Sequence, residues 1–134
     1  MSIEWIKDGE EILAIIIPAD YKPDKTDFIT PLDYKQQLGF IVYQGGQAIL
    51  PHCHIPMNRN LVGTSEVLLI RSGKLEVDLY TKEKKLLVTR VLNQGDMILL
   101  VSGGHGFRMQ EDTIMVEVKQ GPYIGLEEKE RFDP

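Results

Sequence analysis

Seven short runs rich in β-branched and other apolar residues recur along the chain: EILAIIIP, LGFIVYQ, EVLLIRS, LEVDLYT, LLVTRVL, DMILLVS and TIMVEVKQ. Turn-forming pieces such as YQGGQ, RSGK, TKEKK, NQGD and SGGHG separate them. No segment sustains an apolar period of three to four residues, although DYKQQL could close one helical turn, so the pattern excludes a helical protein. Strands at such even spacing predict an all-β fold, an antiparallel sandwich or barrel. The length of 134 residues suits one core and one domain. We place the core barrel at about 36–120, between an N-terminal strand and loop (1–35) and a C-terminal tail (121–134). PADYKPDKTDFITPLDY reads as a long loop or lid, and GLEEKERFDP as a solvated tail or short terminal helix.

Composition removes several classes of function. The net charge of −5 lacks the excess of Lys and Arg that a nucleic-acid partner requires. The longest apolar run, Ile12–Ile17, falls far short of the ~20 residues of a membrane-spanning helix, so no membrane partner is expected. MSIEWIKDGE has neither the basic start nor the apolar core of a signal peptide, and the single Cys53 has no partner for an internal disulfide. A cytoplasmic protein is expected.

The chain has three histidines, and two of them stand one residue apart in AILPHCHI, a run entered through Gly45-Gly46. Read as a strand, it places residues two apart on one face, roughly 6.6 to 7 Å from each other. His52 and His54 then face the same way and can lean onto one ion at ~2.0–2.1 Å, while Cys53 points away and packs as a small hydrophobe. Glu66 opens the strand EVLLIRS and shares a face with Leu68 and Ile70, where a carboxylate is costly unless paired; the alternative is a solvated strand start. His105 lies in SGGHGFRM, where Gly103, Gly104 and Gly106 permit close backbone approach. Taken alone, it reads as structural.

The spacing of Gly46, His52 and His54, then Glu66 to Gly73, then Gly95 to His105, resembles the two motifs of the cupin superfamily. That resemblance implies a double-stranded β-helix, or jelly-roll, barrel whose His52, His54, Glu66 and His105 bind one divalent transition metal, Fe, Mn, Ni, Co or Zn. The chain departs from the pattern in two places. Eleven residues separate His54 from Glu66, which reads as an inserted loop and leaves Glu76 or Glu117 as the alternative acidic partner. In the second motif Val101 replaces the usual proline, and His105 arrives one residue early.

Such a site implies a metalloenzyme of isomerase, lyase or oxygenase type acting on a small polar molecule. The closing stretch GGHGFRMQEDTIMVEVKQGPYIG is similar to small single-domain cupins found with carbohydrate or nucleotide-sugar genes, which implies a sugar-related substrate. Two alternatives share the same residues: a non-catalytic metal-dependent binding or sensing module, and a metal-free sugar epimerase or ketoisomerase using a histidine base. Candidates to orient a substrate are Arg59, Tyr43, Arg108 and Tyr123, with Lys119 and Gln120 on or near strands expected to rim the barrel. In TIMVEVKQ the charged Glu117 and Lys119 alternate with Ile114, Val116 and Val118, and the charged pair is expected to face outward. EILAIIIP is more apolar than one exposed strand should be, so a homodimer built partly on it is expected.

Overall fold

The computed structural model describes residues 1–134, apart from the side chains of Leu126 and Glu127. The chain forms two compact units, Met1–Tyr21 together with Thr64–Pro134, and Lys22–Gly63. In chain order the strands are β1 (Glu4–Asp8), β2 (Glu11–Ile17), β3 (Asp27–Phe28), β4 (Gly39–Phe40), β5 (Glu66–Ser72), β6 (Lys74–Tyr80), β7 (Leu86–Asn93), β8 (Met97–Leu100), β9 (Gly104–Met109) and β10 (Ile114–Lys119). A 3₁₀ turn, Gly125–Glu128, follows. Among the described residues no helix is long and apolar enough to cross a membrane.

The first unit is an antiparallel sandwich. One sheet has the order β1-β2-β8-β5-β10 and the other β7-β6-β9, and neither closes into a barrel. Period-two alternation sends Ile6, Ala14, Ile16, Leu68, Ile70, Ile98 and Leu100 from the larger sheet into one core with Leu75, Val77, Leu79 and Leu92 from the smaller, none more than 7% exposed. Val88, Phe107 and Met115 pack around its margin. Full burial of each aliphatic side chain contributes about 1.5–3 kcal/mol, which makes this cluster the main stabilising feature of the sandwich. Arg90 of β7 forks onto Glu4 of β1, with Nε and Nη2 at 3.0 and 2.8 Å from Glu4 Oε2, and ties the two sheets along one side.

The turn between β5 and β6 depends on Gly73, which has φ +97°. A Cβ at this position would meet the carbonyl oxygen of Asp112 and, at 2.7 Å, Cα of Thr113. The chain leading into β10 therefore lies directly against this turn.

Several expectations are corrected. EILAIIIP is apolar because β2 is an interior strand between β1 and β8, with Leu13, Ala14, Ile15 and Ile17 at most 2% exposed. It is covered within the chain rather than exposed. Three strands went unforeseen: β1 with its polar sequence EWIKD, the two-residue β3 inside the stretch expected as a long loop, and β9, which carries His105.

In the second unit, LGFIVYQ contributes only the two residues of β4, paired with β3. AILPHCHI forms no strand. The expected turn ahead of it does form, with Gln47 N donating to Gln44 O at 3.2 Å and Gly46 at φ +89°. Beyond it Pro51 has no N–H to give to a ladder, and Pro56 repeats the interruption.

Candidate functional site

Glu66 begins β5, with Leu100 of β8 opposite on one side and Lys119 of β10 opposite on the other. Leu68 and Ile70, on the same face, belong to the core, so Glu66 continues the interior face at its end and is half-buried. The β10 register places Glu117 opposite Leu68 and Met115 opposite Ile70. Met115, Glu117 and Lys119 therefore share the core-side face, with Met115 and Lys119 partly buried and Glu117 open to solvent, while Val116 and Val118 are exposed on the other. This corrects the outward placement expected for the charged pair. Pairing to β5 decides the matter, because only that register carries Met115 onto the core.

Burial, and then the neighbouring Glu117, push the Glu66 carboxyl up to about 7, against the pull of Lys119 and Lys129. In the protonated state Glu66 donates its O–H to the Glu117 carboxylate, and that hydrogen bond holds Glu117 below the usual range. Lys119 Nζ donates to Glu128 Oε1 at 3.0 Å and lies 5.0 Å from the ring centroid of Tyr123. Gln120 closes the end of the strand, accepting from Ser65 N at 2.9 Å and donating to Ser65 Oγ at 3.2 Å.

His105 approaches the same interior from the smaller sheet. It stands opposite Leu79 in the β6–β9 ladder, on the face that also presents Phe107, whose ring centroid is 5.6 Å away. The ring keeps contact with solvent. Packing around it, reinforced by the Lys129 charge, holds its pKa below the ordinary imidazole value, while Glu117 pulls the other way. The glycines beside it have steric causes. At Gly103 (φ +73°) a Cβ would strike the Tyr80 carbonyl oxygen, and at Gly104 it would come within 2.9 Å of Phe132 Cζ.

His52 and His54 belong to the 22–63 unit, with ring centroids 5.3 Å apart in an edge-to-face pair. His52 Nδ1 lies 2.9 Å from the carbonyl oxygen of Leu50. A carbonyl only accepts, so Nδ1 carries a hydrogen here, as the non-ligating nitrogen does in metal-bound imidazoles. Cys53 is exposed rather than packed. Among the described residues, no three His, Cys, Asp or Glu side chains are gathered as a metal site.

Of the other candidates, Arg108 is corrected. It lies on the outer face of the smaller sheet, with Nε and Nη2 at 3.0 and 2.8 Å from Asp78 and Nη1 at 2.6 Å from Glu76. It faces away from His105 because the two are an odd number of residues apart on one strand. The same ladder takes Glu76 out of the interior and leaves Glu117 as the acidic neighbour of Glu66. Tyr123 stands beside Lys119 and is exposed. Tyr43 is exposed in the 22–63 unit, where Arg59 lines a shallow cleft of about 490 Å³ with Asp33, Lys35 and Gln37. A second cleft of about 350 Å³ lies in the sandwich beside Ile16, Pro18, Arg90 and Asp96, among residues outside the Glu66–Glu117 cluster. The involvement of Glu128 and Lys129 was not foreseen, because nothing in GLEEKERFDP marks which of its charges returns to the sandwich.

The raised Glu66 pKa has a measurable sign. The folded chain holds this proton more tightly than an unfolded chain with the ordinary 4.5. Its contribution is full below about 4.5 and is lost as pH rises through about 7. Urea titrations of chelator-treated protein should show this Glu66-dependent loss as on the order of 1–2 kcal/mol, discounted for the half-open position. Glu66→Gln should abolish it. His105, with its lowered pKa, works in the opposite sense over the lower part of the window and is common to both proteins, so the difference between the two curves reports the Glu66–Glu117 pair.

Comparison with protein-family models, with characterised proteins and with solved structures finds no match to this chain.

Proposed function

We propose that the protein is a metal-binding cupin in which His52, His54, Glu66 and His105 hold one divalent transition ion, and that it acts on a small polar molecule. The observation that carries this reading is the placement of Glu66 and His105 on the interior faces of the two sheets of one sandwich, both within electrostatic reach of Glu117. The spacing of His52 and His54 supplies the remaining donors, and the Leu50 carbonyl beside His52 Nδ1 leaves Nε2 as the nitrogen that would ligate. Three imidazole nitrogens and one carboxylate oxygen suit a first-row ion, which would take the place of the proton that Glu66 otherwise retains. When bound, the ion supplies Lewis-acid chemistry, polarising a carbonyl or hydroxyl or activating water, as isomerase, lyase or oxygenase reactions require. Sugar-related molecules are the first substrates to assay.

A second reading follows from the Glu66–Glu117 pair. A carboxyl that keeps its proton to about 7 and is hydrogen-bonded to Glu117, which in turn feels the charge of His105, is an acid–base set that needs no ion, as a sugar epimerase or ketoisomerase would use. One experiment separates the two. Plasma mass spectrometry of untagged protein should find near one equivalent of a transition metal, and none in a folded His52→Ala, His54→Ala double variant. No metal in either, even after refolding with Fe, Mn, Ni and Zn, would overturn the metal reading in favour of the second.

A further inference from the structure

Among the described residues β10 pairs only with β5, so it forms one edge of the larger sheet and leaves a row of backbone groups open. Which groups these are follows from the ladder. Ile70 N donates to Asp96 O at 3.0 Å and Ile70 O accepts from Gly95 N at 2.7 Å, so the even-numbered residues of β5 turn their amides toward β8. The odd-numbered ones face β10, where Val67 and Leu69 stand opposite Val118 and Val116 and bond them. Met115, Glu117 and Lys119 therefore hold their N–H and C=O groups outward. The register shift of this ladder lies between Ile114 and Met115, which leaves 115–119 regular.

The side chains on that edge are self-complementary. Glu117 and Lys119 lie two apart on the core-side face, with Val118 between them on the open face, 56% exposed. A second β10 laid antiparallel with Val118 on a two-fold axis sets Glu117 of each copy opposite Lys119 of the partner subunit. Moving the axis to Glu117 or to Lys119 would set like charges directly opposite, and moving it to Val116 would set Glu117 against Met115. Charge thus selects one register. In that register the oppositely charged pairs are also the pairs with free amides, so each exchanges both ladder hydrogen bonds. The two Val118 side chains meet at the closest spacing, with Cα atoms ~4.5 Å apart. Lys119 already donates to Glu128 Oε1 at 3.0 Å, and an ammonium with three donors can hold a second carboxylate.

We infer that β10 is the interface of a homodimer in which two copies of the larger sheet join, edge to edge about Val118, into one continuous sheet. The homodimer expected on EILAIIIP belongs here instead, since β2 is interior and β10 is an edge. The partner copy then contributes to the candidate site, because the partner's Lys119 stands beside the Glu117 carboxylate that accepts from Glu66. The interface requires no ion and holds under either reading of that site.

The test is the mass of the untagged full chain by sedimentation equilibrium, which at tens of micromolar should be twice the 15.2 kDa of one chain. Val118→Lys sets two like charges directly opposite on the axis without touching the core. It should raise the dissociation constant at least tenfold, with the far-ultraviolet circular dichroism unchanged. Register is read by cross-linking in a Cys53→Ser background, which removes the exposed native thiol. On oxidation with diamide, Val118→Cys should form a disulfide-linked dimer, whereas Val116→Cys, which stands opposite Gln120 of the partner subunit, should stay a single chain. A one-chain mass for the parent, a dimer unaffected by Val118→Lys, or equal cross-linking at 116 and 118 would overturn the proposal.

Discussion

A Gly73→Ala variant is expected to lose about 2–5 kcal/mol of stability, the sum of a strained backbone and a forced shift of neighbouring chain. Two features set the size. At φ +97° an L side chain is strained whatever the space around it, and here the space is already filled by Asp112 O and Thr113 Cα. Neither atom is the end of a flexible side chain, so β10 must move as a unit. With a urea dependence of about 1–3 kcal/mol per molar for a domain of this size, the midpoint should fall by roughly 1–3 M. Because the turn aligns β5, which begins with Glu66, against the segment that leads to Glu117, the Glu66-dependent slope with pH should also be lost. A midpoint within experimental error of the parent would show that the turn is not packed as described.

Ile98→Ala is expected to cost about 2–5 kcal/mol by leaving a cavity at the centre of the sandwich. Ile98 is fully buried on β8, opposite Ile16 of β2 on one side and Leu68 of β5 on the other. Both neighbours are held in ladders and have little freedom to collapse into the void. Val116→Ala makes a matched comparison, since it removes a β-branched side chain from the exposed face of β10 and should change stability by no more than about 0.5 kcal/mol. Equal losses in the two variants would mean that β10 is turned the other way, and would reverse the interior assignment of Glu117 and Lys119.

Much of the sandwich was legible because β5, β6, β7, β8 and β10 each carry a compact apolar run between turn residues. β1 was missed because its only buried side chain is Ile6, and its place is secured by the Glu4–Arg90 pair, a contact 86 residues apart in sequence. β9 was missed because Gly104 and Gly106 lower its strand character, although His105 and Phe107 between and beyond them follow the interior alternation. AILPHCHI shows the opposite failure, a clear local alternation that Pro51 interrupts. The candidate site shows in the sequence only as residue types at a spacing. Which way each side chain turns was not legible, because for Glu117 and Lys119 hydrophobicity argues for one face and the register to β5 requires the other.

That inversion on β10 has a consequence for behaviour in concentrated solution. An edge strand showing Ile114, Val116 and Val118 on its open face is the kind of surface onto which a stray strand can add and seed aggregates. Any strand that did so would have to set its own inward residues beside Glu117 and Lys119, where an apolar side chain would strip water from charge. The two side chains that crowd the candidate site thus also act as gatekeepers of solubility. Replacing them with apolar residues to simplify the site would remove the guard from this edge of the sandwich.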